Sequence, residues 1–104
     1  MDTITKNLLA FIEKSPTCFH AAETMKTKLA ENGFTELKEN EKWKITKGGQ
    51  YFVTRNDSSL IAFTIPAGEM KGMRIMASHS DSPCFKVKEN PEIETEGHYV
   101  KLNV

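Results

Sequence analysis

The sequence has no excess of charge of either sign: 14 Lys plus Arg are matched by 14 Asp plus Glu over 104 residues. Without a basic surplus it carries no electrostatic footprint for nucleic acid or for an anionic membrane surface, and neither is expected as a partner. No apolar run approaches the about 20 residues that a membrane span needs. The N-terminus has an acidic residue at position 2 and charges scattered through its apolar pattern, which is unlike a secretory signal. Cysteine is scarce, only Cys18 and Cys84, so reduced thiols in a cytoplasmic location are the expectation. There is no Gly-x-Ser-x-Gly elbow, and Ser80 and Ser82 stand too close in sequence to His79 to serve as its nucleophile. Neither Gly48-Gly49 nor the Gly68/Gly72 loop is followed by the Lys-Ser/Thr of a phosphate cradle, so these glycines read as turns. No internal repeat or low-complexity tract is present.

What is there has the composition of a soluble globular protein, 38% hydrophobic and 27% charged. Its length suits one ordinary domain or a piece of a larger one. Asp2 to Lys14 predicts a helix, with Asp2 or Thr3 as cap and Ile4, Leu8, Phe11 and Ile12 on one face. Ser15-Pro16-Thr17 breaks it. A second helix runs from about Cys18 to Glu31, with a stripe of Phe19, Ala22, Met25 and Leu29, and Asn32-Gly33 as its stop. Strand signals follow at Phe34–Leu37, Gln50–Arg55 and Leu60–Ile65, the last apolar enough to be buried on both faces. Trp43-Lys44-Ile45 alternates, and Gly48-Gly49 and Asn56–Ser59 are turn signals. Met73 to Ala77 reads as a further buried strand, with a return to strand at Phe85–Lys88. Glu89 to Gly97 is acidic and turn-rich, the pattern of a linker or exposed loop, and Tyr99 to Val104 alternates like a strand. A strand pattern reaching the last residue suggests a truncated chain with an exposed edge. The expected fold is α/β, with two N-terminal helices packed on a mixed or antiparallel sheet of meander strands.

The chemistry is concentrated where the Met73 strand breaks into His79-Ser80-Asp81-Ser82-Pro83-Cys84. Strand side chains alternate, so extended backbone through Asp81 sets His79 and Asp81 on one face and Ser80 on the other. The spacing alone suits a metal ligand with an orienting carboxylate, an acid/base pair, or a histidine hydrogen-bonded within a turn. Zinc needs about three or four protein ligands, and His20 and His98 have no ligand-like spacing to His79, so a metal there requires ligands from elsewhere. In that case Asp81 would accept from the ring nitrogen turned away from the metal. Cys18 and Cys84 read as buried small apolar thiols, His20 as a cap-region residue, and Trp43, Tyr51, Phe52 and Phe63 as sheet core.

Three segments carry a resemblance. Ser15-Pro16-Thr17 with Phe19-His20-Ala21 is similar to the S-P-S/T-x-F-H-A segment of M18 metallo-aminopeptidases, the aspartyl aminopeptidase family. Trp43, then Gly48 to Asn56, then Ser58 to Phe63, resembles that family's W…GGKYFxTRNxSSLIAF stretch. Ser78 to Lys88 resembles its H-T-D-S-P-C segment, with Ser80 where Thr is usual. The segments run in the family's order over nearly the whole chain. The resemblance implies a cytoplasmic, homo-oligomeric enzyme that removes N-terminal residues, in some members acidic ones, from peptides by water activated on two zinc ions. It implies that this chain is part of the larger zinc-exopeptidase catalytic domain, with residues 1–89 its N-terminal portion and 90–104 the start of an inserted β domain. It makes His79 the first metal ligand and Asp81 the catalytic-site carboxylate that steers its imidazole. The remaining ligands, the general base and the pocket that reads the substrate lie downstream in the family, so this chain alone is expected to be inactive. The alternative is a complete, non-catalytic α/β module that binds a partner protein through an exposed strand edge.

Overall fold

A computed structural model describes residues 2–104. Helix α1 is Thr3–Glu13, begun by Asp2, whose Oδ1 accepts from the Thr5 N–H at 2.7 Å. That bond holds the Asp2 carboxyl below its usual range, because it favours the ionised form. Helix α2 is Cys18–Glu31, and Thr17 is its N-cap, accepting from the His20 N–H at 3.3 Å. Its end is closed by two bonds, Phe34 N–H to Leu29 C=O at 3.0 Å and Gly33 N–H to Ala30 C=O at 3.1 Å. This is the Schellman pattern, and it needs the positive φ that Gly33 adopts at 84°. The Thr24 hydroxyl, on α2, donates to the Lys14 carbonyl at 3.4 Å and ties α2 back to the end of α1.

Strands β1 (Thr35–Leu37), β2 (Gln50–Arg55) and β3 (Ser59–Thr64) form a mixed sheet in the order β1-β2-β3. β1 is parallel to β2, and β2 antiparallel to β3. The α/β class and the mixed sheet are as expected from the sequence. The core is small: Ala21 and Ala22 of α2 and Tyr51 and Phe52 of β2 are its buried hydrophobics. Small alanines let α2 approach the sheet closely, and it packs across all three strands. α1 touches only α2, so one helix covers the sheet where two were expected. Ile4, Leu8 and Ile12 remain exposed on α1, as does Phe19 on α2, which drops out of the expected stripe.

Trp43–Ile45 does not form a strand. The Trp43 indole N–H donates to the Lys38 carbonyl at 2.8 Å, and its ring lies 6.4 Å from that of Phe63. Phe63 is opposite Tyr51 in the ladder, with ring centroids 5.7 Å apart. The segment is thus a flap over one sheet face, and the Gly48-Gly49 turn leads into β2 without closing a hairpin. Tyr51 Oη receives the Thr46 N–H at 3.0 Å and lies 3.2 Å from the Thr46 hydroxyl. Those bonds lower the Tyr51 pKa by favouring phenolate.

Asn56 and Asp57 join β2 to β3, both at positive φ, with Ser58 N–H on the Arg55 carbonyl at 3.2 Å. Positive φ at both central positions is what a type I′ turn requires, and Asn and Asp tolerate it. β3 is an edge strand among the described residues, and Ile61 is 70% exposed, so the expected burial on both faces does not occur.

Beyond β3, residues 65–91 hold neither helix nor strand. The strands expected at Met73–Ala77 and Phe85–Lys88 are not formed, since no described strand pairs with them. Met76 is 99% exposed and Phe85 89%. The stretch read as a linker contains β4 (Glu92–Thr95), which pairs antiparallel with β5 (Tyr99–Leu102) around Glu96 and Gly97 at positive φ. Asn103 N–H to Pro91 C=O at 2.6 Å and Lys88 N–H to Asn103 C=O at 3.0 Å close the base of this hairpin. The radius of gyration is 20.2 Å, against about 13 Å for a compact domain of this length.

Candidate functional site

His79 and Asp81 lie in the extended stretch after β3, and the structure brings them together. Nδ1 of His79 is 2.8 Å from the Asp81 backbone carbonyl oxygen and 3.4 Å from its carboxylate Oδ1. A carbonyl oxygen only accepts, so Nδ1 must carry the proton, and Nε2 of the neutral ring is left with its lone pair. Nε2 has no hydrogen-bond partner among the described residues. Both side chains are exposed, 82% for His79 and 73% for Asp81. This tautomer is the one a histidine needs to ligate through Nε2 while its other nitrogen is held.

The Ser80 hydroxyl donates to the Ser58 carbonyl at 3.1 Å. The reading of the sequence put Ser80 on the opposite face and found no partner for it. That partner is 22 positions away, and only folding brings it near.

The other candidates stay apart. His20 sits at the start of α2 with Nδ1 2.7 Å from the Thr17 hydroxyl, a cap-region residue as expected. His98 is in the β4–β5 turn, where its N–H bonds the Thr95 carbonyl. Both cysteines are free thiols, and the burial expected of them does not hold for Cys84, which is exposed in the stretch without strand partners, while Cys18 is half-buried. The arrangement offers a single imidazole ligand: no group of three or more His, Cys, Asp and Glu that could hold a metal occurs among the described residues. Neither the hollow of about 210 Å³ beside α2 nor the one of about 140 Å³ at the β2–β3 end is lined by His79 or Asp81. Among the described residues no helix is long and apolar enough to cross a membrane.

Residues 11–104 match the family model described as Aminopeptidase I zinc metalloprotease (M18). A probable M18 family aminopeptidase 2 of Clostridium acetobutylicum is 51% identical over 94% of this chain and 23% of its own length. One from Pseudomonas putida is 39% identical over 99% of this chain and 24% of its own. The chain therefore spans about a quarter of the length of these curated relatives. Among solved structures, the cryo-EM structure of the Ape4 and Nbr1 complex aligns with TM-score 0.79 and 37% identity, over 92% of this chain and 19% of that one. The crystal structure of prApe1 aligns with TM-score 0.79 and 27% identity, over 95% and 22% respectively.

Proposed function

The chain belongs to the M18 family of zinc metalloproteases, and on that premise we propose that it is the N-terminal part of a metallo-aminopeptidase. The whole enzyme removes N-terminal residues, acidic ones among them, from peptides. His79 is one ligand of a two-zinc centre, through Nε2, and Asp81 orients its imidazole. The observation that carries this reading is the bond from Nδ1–H to Asp81, which leaves the Nε2 lone pair free to ligate. A neutral imidazole nitrogen steered by a carbonyl and a nearby carboxylate suits zinc, which takes nitrogen and carboxylate ligands. The other ligands come from residues outside this chain.

When bound, zinc supplies Lewis acidity toward the scissile carbonyl and lowers the pKa of a water molecule. This chain's own contribution is narrower: it holds one imidazole in one tautomer, within the stretch that joins β3 to β4. Residues 1–89 belong to the catalytic domain and 90–104 enter an inserted β domain. In support, the β4–β5 hairpin packs on no other helix or strand among the described residues. The enzyme works in the cytoplasm as a homo-oligomer. A balance of 14 basic and 14 acidic residues favours a peptide substrate over nucleic acid or membrane.

The test is turnover. With zinc and an aminoacyl chromogenic substrate, this chain alone should hydrolyse nothing. Turnover that disappears in His79→Ala would overturn the reading of an incomplete site. A second reading, a non-catalytic module that binds a partner through a strand edge, draws on the unpaired edge of β3. Zinc that never perturbs the His79 ring, together with a stable complex through β3, would favour it.

A further inference from the structure

Residues 66–87 carry the candidate ligand, yet they are almost untethered. Ile65 N–H bonds the Gly49 carbonyl at 2.9 Å at one end, and Lys88 N–H bonds the Asn103 carbonyl at the other. Between them, the hydroxyl of Ser80 on the Ser58 carbonyl is the one hydrogen bond, among the described residues, that joins this stretch to the rest of the chain. Among the described residues, the side chains of His79 and Asp81 bond only within this pair. An extended segment without ladder partners has many accessible backbone states, and a single well-placed bond removes a large share of them.

The acceptor is held firmly. Ser58 closes the β2–β3 turn, its own N–H fixed on the Arg55 carbonyl at 3.2 Å. The Ser59 hydroxyl donates to the same carbonyl at 3.3 Å. The Arg55 guanidinium grips Glu39, with Nη2 2.7 Å and Nε 3.2 Å from Oε1. The chain thus runs from an ion pair through a tight turn to Ser58, then across to Ser80, whose neighbour is His79.

We infer that Ser80 is a positioning residue, whose hydroxyl latches the His79–Asp81 segment to the β2–β3 turn and so fixes where Nε2 of His79 points. The inference rests on His79 being a zinc ligand for its purpose, but the latch itself is independent of metal. Ser80, between the two, bonds the Ser58 carbonyl while His79 and Asp81 contact each other and stay exposed, so one residue anchors and its neighbours remain free to face a ligand.

The experiment uses this chain in three forms, wild type, Ser80→Ala and Ser80→Thr, with far-ultraviolet circular dichroism as the folding control. Backbone order parameters of residues 79–81 are measured by NMR relaxation without metal. Wild type and Ser80→Thr should stay near the rigid value of about 0.85, and Ser80→Ala should fall below about 0.6. Zinc titration read from the His79 ring resonances should show apparent affinity about tenfold lower in Ser80→Ala, restored in Ser80→Thr. Equal order parameters in Ser80→Ala and wild type, or no rescue by Ser80→Thr, overturn the latch. Order parameters that respond as expected while zinc leaves the wild-type His79 ring unperturbed support the latch and count against the zinc-ligand reading instead.

Discussion

The nearer partner of the His79 Nδ1 is the Asp81 backbone carbonyl at 2.8 Å, with the Asp81 carboxylate farther off at 3.4 Å. Asp81 therefore holds the imidazole by two handles, and substitution of its side chain removes only the weaker one.

Asp81→Ala should accordingly keep His79 in the Nδ1–H tautomer, read from its ring nitrogen shifts. Loss of the adjacent carboxylate should still weaken zinc binding at His79, by about tenfold, the lower end for an orienting partner. A switch to the Nε2–H tautomer in this variant would show that the carboxylate, not the carbonyl, sets the ring.

Gly49 lies against the ring of Tyr51. A Cβ built at Gly49 would sit 2.5 Å from Cε2 and 2.6 Å from Cζ. Tyr51 is buried and bound to Thr46, so the ring has little room to retreat. Gly49→Ala should cost about 1–3 kcal/mol in urea unfolding, as overpacking does. It should also raise the Tyr51 pKa by pulling the phenol off Thr46, visible in the phenolate absorbance.

Thr17 accepts from His20 N–H and starts α2, the helix that covers the sheet. Thr17→Ala should destabilise the chain by about 1 kcal/mol, and Thr17→Ser by much less. An Ala variant as stable as wild type would show that the cap contributes nothing.

The Asp2 carboxyl titrates below its ordinary value because it accepts from Thr5. A depressed folded-state pKa gives stability that is present above the unfolded value and lost as pH falls through the folded one. Helix α1 should therefore be intact above about pH 4 and fray below it, followed by the Thr5 amide resonance. Asp2→Asn should flatten that dependence.

Among the described residues β3 offers an unpaired edge, with Ile61 exposed. Edges of this kind associate, and a charge on them blocks pairing. The chain should show a concentration-dependent mass above that of the monomer in light scattering, and Ile61→Lys should lower it.

The local features of the fold were legible in the sequence. Asp2 as one of two candidate caps of α1, Asn32-Gly33 as the stop of α2, β2 over Gln50–Arg55 and the turn after it depend on a few adjacent residues, and the structure has them all. Motif order pointed to the M18 family for the same reason, since a signature is a string of neighbours. His79 and Asp81 are two positions apart and meet, though through the Asp81 backbone carbonyl first and without the strand from which the sequence reading set them on one face.

What needed the tertiary structure was everything decided by a distant partner. A strand exists only when another strand completes its ladder, so Met73–Ala77 remains unpaired while the acidic Glu92–Thr95 pairs with Tyr99–Leu102. Trp43 became a flap because Phe63 and the Lys38 carbonyl were there to hold it. Ser80 acquired its role from the Ser58 carbonyl, which no pattern around His79 could reveal. By itself, the sequence determined which residues favour a helix, a turn or a strand and which family they resemble. The tertiary structure decided which of those preferences found a partner, because hydrogen bonds between distant segments form only where the whole chain brings donor and acceptor together.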